Sequence, residues 1–119
     1  MAHTQALTIS DAAGLITVLF ERIGTNPAYK PTNRTILLAT AIAIYHRGLH
    51  DLPSTVVELA NYFETTTVYM NSRLKYMTTE NILGYDAVPY AGRGGVTRHY
   101  KISDAISQVV IDRRVATPT

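Results

Sequence analysis

The residues best suited to chemistry in this 119-residue sequence lie between positions 66 and 101, where hydroxyl, amide and cationic side chains cluster. Such side chains bind phosphate oxygens and the edges of bases. The candidates are Thr66, Thr67, Val68, Tyr69, Asn71, Ser72, Arg73, Lys75, Tyr76, Arg93 and Arg98. Residues 65–101 carry five basic and two acidic side chains, whereas residues 1–64 carry four basic and five acidic ones. A positive segment on a nearly neutral chain indicates a surface that binds a polyanion.

The first part of this segment has the spacing of an amphipathic helix over residues 66–80. Its apolar stripe consists of Met70, Leu74 and Met77, spaced four and three apart, so the candidates fall on the opposite face and its flanks. An α-helix fits the major groove of DNA, with its N-terminal half nearest to the base edges. The alternative is an ordinary solvated helix face. The elements predicted around this helix distinguish a DNA-binding face from a solvated one.

In the DNA-binding interpretation, each type of side chain has its own contact. Val68 would pack on a thymine methyl group and Asn71 would pair with adenine, while Arg73 would contact guanine or a phosphate. The hydroxyl groups, the ammonium group and the free N–H groups of the helix start would bind phosphates. These phosphate contacts are expected from Thr66, Thr67, Tyr69, Lys75 and Tyr76.

A second cationic feature is Arg93, which stands in the glycine-rich tip of residues 91–95. The small residues around Arg93 would let the backbone approach a phosphate ridge and let the arginine enter a minor groove. The return strand after this tip carries Arg98. The alternative is an ordinary hairpin whose glycines only satisfy the geometry of the turn.

Other kinds of chemistry find little support in the sequence. Cysteine is absent, which excludes disulfides, thiolate catalysis and Cys-ligated metals. No serine lies in a nucleophile motif, and no carboxylates are paired for acid–base catalysis, so we expect no enzyme and no cofactor. His46 and His50 would suit a metal on one continuous helix. However, Gly48 is expected to end the helix between them, and no metal site is predicted.

The amino-acid composition and the distribution of apolar residues indicate which broad class of protein this is. Hydrophobic residues make up 46% and charged residues 17% of the sequence, values typical of a globular protein. No apolar run is long enough to span a bilayer, and the N-terminus does not have the pattern of a signal peptide. A cytoplasmic location, in a bacterial, archaeal or virus-infected cell, is the resulting expectation.

The periodicity predicts a single domain over residues 1–119, mainly α-helical with a small β-hairpin (an α+β fold). Asn33 is expected to cap a central helix that Gly48 ends, and Thr55 to cap a short helix that ends near Phe63. The remaining predicted elements are an N-terminal helix over 10–24, a helix over 66–80, a hairpin over 82–102 and a C-terminal helix over 103–115.

The order short helix, turn, helix and glycine-tipped hairpin resembles the winged helix-turn-helix. The stretch from Glu58 to Leu83 is similar to a family pattern in which an E-L-A helix is followed by a turn, a Ser/Thr-capped recognition helix and an apolar exit into the wing. Ala60 falls where the family keeps a small residue, and residues 98–103 resemble its Y-x-[LI]-[ST] close. Glu64, in contrast, occupies a turn position where glycine is common. Over roughly residues 34–103, the sequence most resembles MarR-like and related small bacterial, plasmid or phage regulators.

This resemblance implies a winged-helix core over 34–102, with recognition helix 66–80 and wing 82–102, that binds double-stranded DNA sequence-specifically as a transcriptional regulator. A homodimer is expected, because apolar stripes on the first and last helices would pair across a two-fold axis. The alternative is that both helices pack on their own domain. Two other functions stay open: a DNA-organising or plasmid/phage partition protein that binds repeated sites, and a winged-helix protein–protein interaction module without DNA binding.

Overall fold

The computed structural model of the chain describes residues 6–92 and 94–116. This part is mainly helical, with one two-stranded antiparallel hairpin. A 3₁₀ turn, Ile9–Asp11, leads into α1, and a π-helical turn, Phe20–Gly24, extends it. In these ranges no helix combines the length and hydropathy needed to cross a membrane. The elements are α1 Ala12–Leu19, α2 Pro31–Leu49, α3 Val56–Tyr62, α4 Thr67–Thr79, β1 Leu83–Pro89, β2 Val96–Ile102 and α5 Asp104–Ala116.

The first and last helices, α1 and α5, pack against each other within one chain. A Cβ atom placed on Gly14 would stand 3.4 Å from Val110 Cγ1, so the two helices approach closely at this glycine. Most of the large apolar side chains in the two stripes from which dimerisation is expected pack inside the chain, although Ile16 is 41% exposed. The buried side chains of these stripes are Leu15, Val18 and Leu19 of α1 and Ile106 and Val110 of α5.

Two ion pairs reinforce the contact between α5 and the α1 region. The guanidinium group of Arg113 donates hydrogen bonds of 2.7 and 2.8 Å to the two carboxylate oxygens of Glu21. Arg114 Nε lies 3.2 Å from Oδ1 of Asp11, whose residue surface is only 3% exposed. The other Asp11 oxygen accepts a 2.8 Å hydrogen bond from the backbone N–H of Thr8. These ion pairs thus hold α5 beside the N-terminal segment that contains α1.

The central helix, α2, differs from its predicted bounds at both ends. It begins at Pro31, so the prediction that Asn33 caps it is wrong; proline is well suited to a first helical position because its missing N–H has no partner there. It also passes through Gly48 to Leu49, so the predicted stop at Gly48 is wrong. A helical glycine costs only about 1 kcal/mol, which the packing of α2 around the buried Ile44 outweighs.

Helices α3 and α4 are capped as predicted and joined by a tight turn. The hydroxyl oxygen of Thr55 accepts a 3.2 Å hydrogen bond from the backbone N–H of Glu58, and that of Thr66 accepts one of 3.1 Å from Tyr69. Glu64, in the turn between the helices, has a φ of 53°. Its backbone adopts the left-handed conformation for which glycine is the usual residue.

The hairpin pairs Leu83 with Ile102 at its base and Pro89 with Val96 beside its tip. Proline, which cannot donate to a ladder, is thus confined to the end of a strand, as its chemistry requires. Gly95 closes the tip with a φ of 94°. The hairpin itself confirms the predicted strands over residues 82–102 to within a residue at each end.

Three joints connect the hairpin to the helices. The backbone N–H of Tyr100 donates a 2.9 Å hydrogen bond to the carbonyl of Ser54, which ties β2 to the segment before α3. Asn81, with a φ of 60°, turns the chain from α4 into β1 as predicted. Ser103 caps α5, as predicted, by accepting a 3.2 Å hydrogen bond from the N–H of Ile106. These joints fix the hairpin beside α4.

Candidate nucleic-acid interface

Helix α4 presents the two faces that the sequence predicts. Met70, Leu74 and Met77 are fully buried in the core, and they hold the helix by its inner stripe. The opposite face is open to solvent, with Val68 78% exposed at its N-terminal end. The amphipathic periodicity predicted for this helix is therefore confirmed, and of the candidates on it only Arg73, on its flank, is partly buried.

The candidates that lie freely on this open face are small or polar. Thr67, Asn71, Ser72 and Lys75 are exposed, and Lys75 has no ion pair within the described residues. Thr66 is also exposed, but its hydroxyl oxygen already accepts the capping hydrogen bond from Tyr69. This face offers donors, acceptors and one apolar contact, which is the mixture needed to read base edges.

The candidate Arg73 lies on the flank of α4, as predicted, and its guanidinium group makes contacts within the chain. Its guanidinium group donates a 3.1 Å hydrogen bond to the hydroxyl of Thr40 on α2, a side chain that is 0% exposed. It also lies 5.0 Å from the ring centre of Tyr69 and 5.5 Å from that of Phe63. The guanidinium is thus engaged within the chain, where it joins α4 to α2 and the preceding turn.

Tyr76 of α4 is supported by Tyr29, a residue that the sequence does not single out. Tyr76 packs edge-on against Tyr29, with ring centres 6.3 Å apart. The hydroxyl of Tyr29 donates a 2.9 Å hydrogen bond to Glu80 at the end of α4. The pKa of Tyr29 is raised, mainly by burial of the hydroxyl and to a smaller extent by this hydrogen bond. Tyr29 comes from the loop before α2, and no local sequence pattern marks it as a support for α4.

On the hairpin, Arg98 is held beside two tyrosines. Its guanidinium lies 4.2 Å from the ring centre of Tyr85, which is a cation–π contact. Interaction with the Tyr100 hydroxyl raises the pKa of the Arg98 guanidinium, so the side chain keeps its positive charge. Arg93 lies outside the described residues.

A groove between α3, α4 and the hairpin brings two candidates together. Asn71 of α4 and Arg98 of β2 both line it, together with Thr55 at the start of α3 and Tyr90 near the hairpin tip. The other cation of β2, Lys101, is paired at 3.1 Å with Asp86 on the opposite face of the hairpin. Asn71 and Arg98 therefore face the same space, while Lys101 does not contribute to it.

Two further findings bear on what this surface can do. Among the described residues, no group of three or more His, Asp or Glu side chains could hold a metal ion. No family model matches the chain, and no curated protein matches it.

Proposed function

We propose that this chain is a sequence-specific double-stranded DNA-binding protein of the winged helix-turn-helix type that acts as a transcriptional regulator. In this proposal α4 is the recognition helix, the β1–β2 hairpin is the wing, and α3 with the turn at Glu64 completes the helix-turn-helix. The observation that carries it is the groove in which Asn71 of α4 and Arg98 of the hairpin face the same space.

The dimensions and side chains of α4 suit a major groove. Thirteen residues make a helix of about 20 Å at 1.5 Å per residue, and a groove about 12 Å wide admits it. The exposed Val68, Asn71 and Ser72 lie in its first half, the part that reaches base edges in helix-turn-helix complexes. Lys75 follows one turn after Asn71 and is placed for a phosphate contact.

The hairpin would contribute electrostatic attraction to the neighbouring backbone. Arg98 is charged, exposed and kept in place by aromatic contacts, which lowers the entropy lost when it binds a phosphate. Thr67 adds a hydroxyl group in the first turn of α4, close to the free backbone N–H groups of that helix end. Arg93 at the hairpin tip belongs to the same proposal as a contact to the adjacent backbone or minor groove.

One observation favours a second function, a protein-interaction module with the same fold. Beside the polar candidates, the helix-turn-helix exposes large apolar side chains: Val57 and Tyr62 of α3 are 56% and 55% exposed. Val68, at the start of α4, is exposed as well. Exposed apolar side chains of this size fit a protein partner better than a phosphate backbone.

The test is fluorescence anisotropy with a labelled random duplex at two salt concentrations. We expect micromolar binding that weakens as salt rises, and weaker binding by both Lys75→Ala and Arg98→Ala. Arg22→Ala is the matched control, because it removes one exposed positive charge from the Phe20–Gly24 turn and none from α4 or the hairpin. The proposal would be contradicted if the unchanged chain did not bind the duplex at low salt, or if Lys75→Ala, Arg98→Ala and Arg22→Ala lost the same affinity for it. Either result would direct the search to protein partners.

A second experiment separates a regulator from a DNA-organising protein. Selection of duplexes from a random pool, followed by light scattering of the complex, gives the preferred site and the number of chains on it. A regulator should select one short site with a fixed number of chains. Selection of repeated sites with growing occupancy would instead support the partition role.

A further inference from the structure

The continuation of α2 through Gly48 has a chemical consequence at its C-terminal end. His46 lies in the last turns of this helix and His50 caps it, so the two side chains follow each other by about one helical turn. Their ring centres are 4.8 Å apart and the rings are tilted by 60°. Both residues are exposed. We propose that His46 and His50 together bind one divalent transition-metal ion of the Zn²⁺ type.

The ligand chemistry selects the class of ion. Imidazole nitrogens bind Zn²⁺ at about 2.0–2.1 Å, a distance that two rings at this separation reach by side-chain rotation. No third His, Asp or Glu joins them in a metal-binding group within the described residues, so water molecules complete the coordination sphere. Mg²⁺ and Ca²⁺ prefer oxygen ligands, and the site therefore favours Zn²⁺, Ni²⁺ and Cu²⁺.

The surroundings also favour a cation. The site is at the C-terminal end of a 19-residue helix, where the helix dipole places partial negative charge. The positive group nearest in sequence, Arg47, is directed elsewhere: it donates a 2.7 Å hydrogen bond to the carbonyl of Pro53 and lies 3.5 Å from a carboxylate oxygen of Glu58. The guanidinium is thus occupied by the segment that leads into α3.

Binding of the ion would stabilise the end of α2. The helix brings the two imidazoles into range of one ion, whereas the unfolded chain does not hold them together, so the ion binds the folded chain more tightly. The same turn anchors the connection to α3, because the backbone N–H of Leu52 donates to the carbonyl of Arg47 at 2.9 Å. An ion bound to His46 and His50 would therefore also stabilise the start of the connection between α2 and α3.

The experiment is a calorimetric titration of the purified chain with Zn²⁺ in metal-free buffer, supported by thermal unfolding with and without Zn²⁺. We expect one ion per chain, a higher melting temperature with Zn²⁺, and at least a tenfold loss of affinity in His46→Gln and in His50→Gln. Both side chains are exposed, so the variants should fold; circular dichroism without metal checks this.

Two control variants make the assignment specific. His99→Gln removes the half-buried histidine of β2, and His3→Gln removes the histidine that lies outside the described residues. Both should bind Zn²⁺ like the unchanged chain. Loss of binding in either control, unchanged affinity in both His46→Gln and His50→Gln, or no binding by the unchanged chain at millimolar Zn²⁺ would overturn the proposal.

Discussion

Replacing Arg73 by alanine should destabilise the folded chain while leaving its preference among DNA sequences unchanged. The guanidinium donates to the buried hydroxyl of Thr40 and lies against the rings of Tyr69 and Phe63. In the DNA-binding interpretation of the sequence this arginine contacts guanine or a phosphate, so the variant separates a structural role from a role in DNA binding. The neighbouring exposed cation, Lys75, provides the comparison.

The expected size of the effect follows from these contacts. A hydrogen bond from a charged donor contributes about 1.5–3 kcal/mol, and each of the two cation–π contacts about 0.5–1 kcal/mol. Release of the ordered arginine side chain returns up to about 2 kcal/mol of conformational entropy. The balance for Arg73→Ala is a loss of about 2 kcal/mol in the free energy of unfolding. For a chain of this length that is roughly an 8 °C lower melting temperature.

Urea and thermal unfolding of Arg73→Ala, Arg73→Lys and Lys75→Ala measure this effect. Lysine at position 73 keeps the charge near the two rings but cannot reproduce the planar guanidinium, so an intermediate loss is expected. Lys75→Ala should change stability by less than about 0.5 kcal/mol and weaken DNA binding. An Arg73→Ala variant with unchanged stability but a selective loss of affinity for a preferred DNA site would refute the structural role.

Three further predictions concern the turn, the helix pair and the groove. Glu64→Gly should raise the free energy of unfolding by about 0.5–1 kcal/mol, because it relieves a left-handed backbone; a lower urea midpoint would contradict this. Arg113 lowers the pKa of Glu21 by hydrogen bonding, so this pair stabilises the fold above the ordinary carboxyl pKa and ceases to do so as pH falls through the lowered value. Arg113→Ala should therefore have a lower free energy of unfolding than the unchanged chain at pH 7. Urea unfolding should show that this difference in free energy becomes smaller below about pH 4. Asn71→Ala should weaken binding to a selected DNA site by about 1–3 kcal/mol, and equal losses on random DNA in the anisotropy assay would show that Asn71 reads no base.

The sequence predicts this fold well where local chemistry decides the structure. The helix starts at Thr55, Thr66 and Ser103 follow from side chains that accept hydrogen bonds from the next turn. The left-handed residue Asn81 follows from the tolerance of asparagine for that conformation. Each of these signals acts over three or four residues, so no knowledge of the tertiary structure is required.

The predictions fail where distant packing decides. Gly48 has a weak helix propensity, but the rest of α2 is held by the core, and the helix continues past it. Arg73 lies on the flank of α4, from which a long side chain reaches either solvent or the core. Its partner Thr40 is 33 residues away, and no local pattern indicates this contact. Dimerisation through the outer helices stays a prediction, because an apolar stripe alone does not reveal whether its partner is another helix of the same chain or of a second chain.

From the pairing of α1 with α5 we infer which part of the chain completes its structure last. The hydrogen bonds between Arg113 and Glu21 join residues 92 positions apart, and closing a loop of that length costs about 4 kcal/mol of chain entropy. Helices α3 and α4 and the hairpin are joined by much shorter connections, so we expect them to assemble first. We expect the two outer helices, joined by the Gly14–Val110 contact and the Arg113–Glu21 pair, to open together from the core that they share with α2 and α4. Their backbone amides should accordingly exchange with deuterium together, ahead of those of α4.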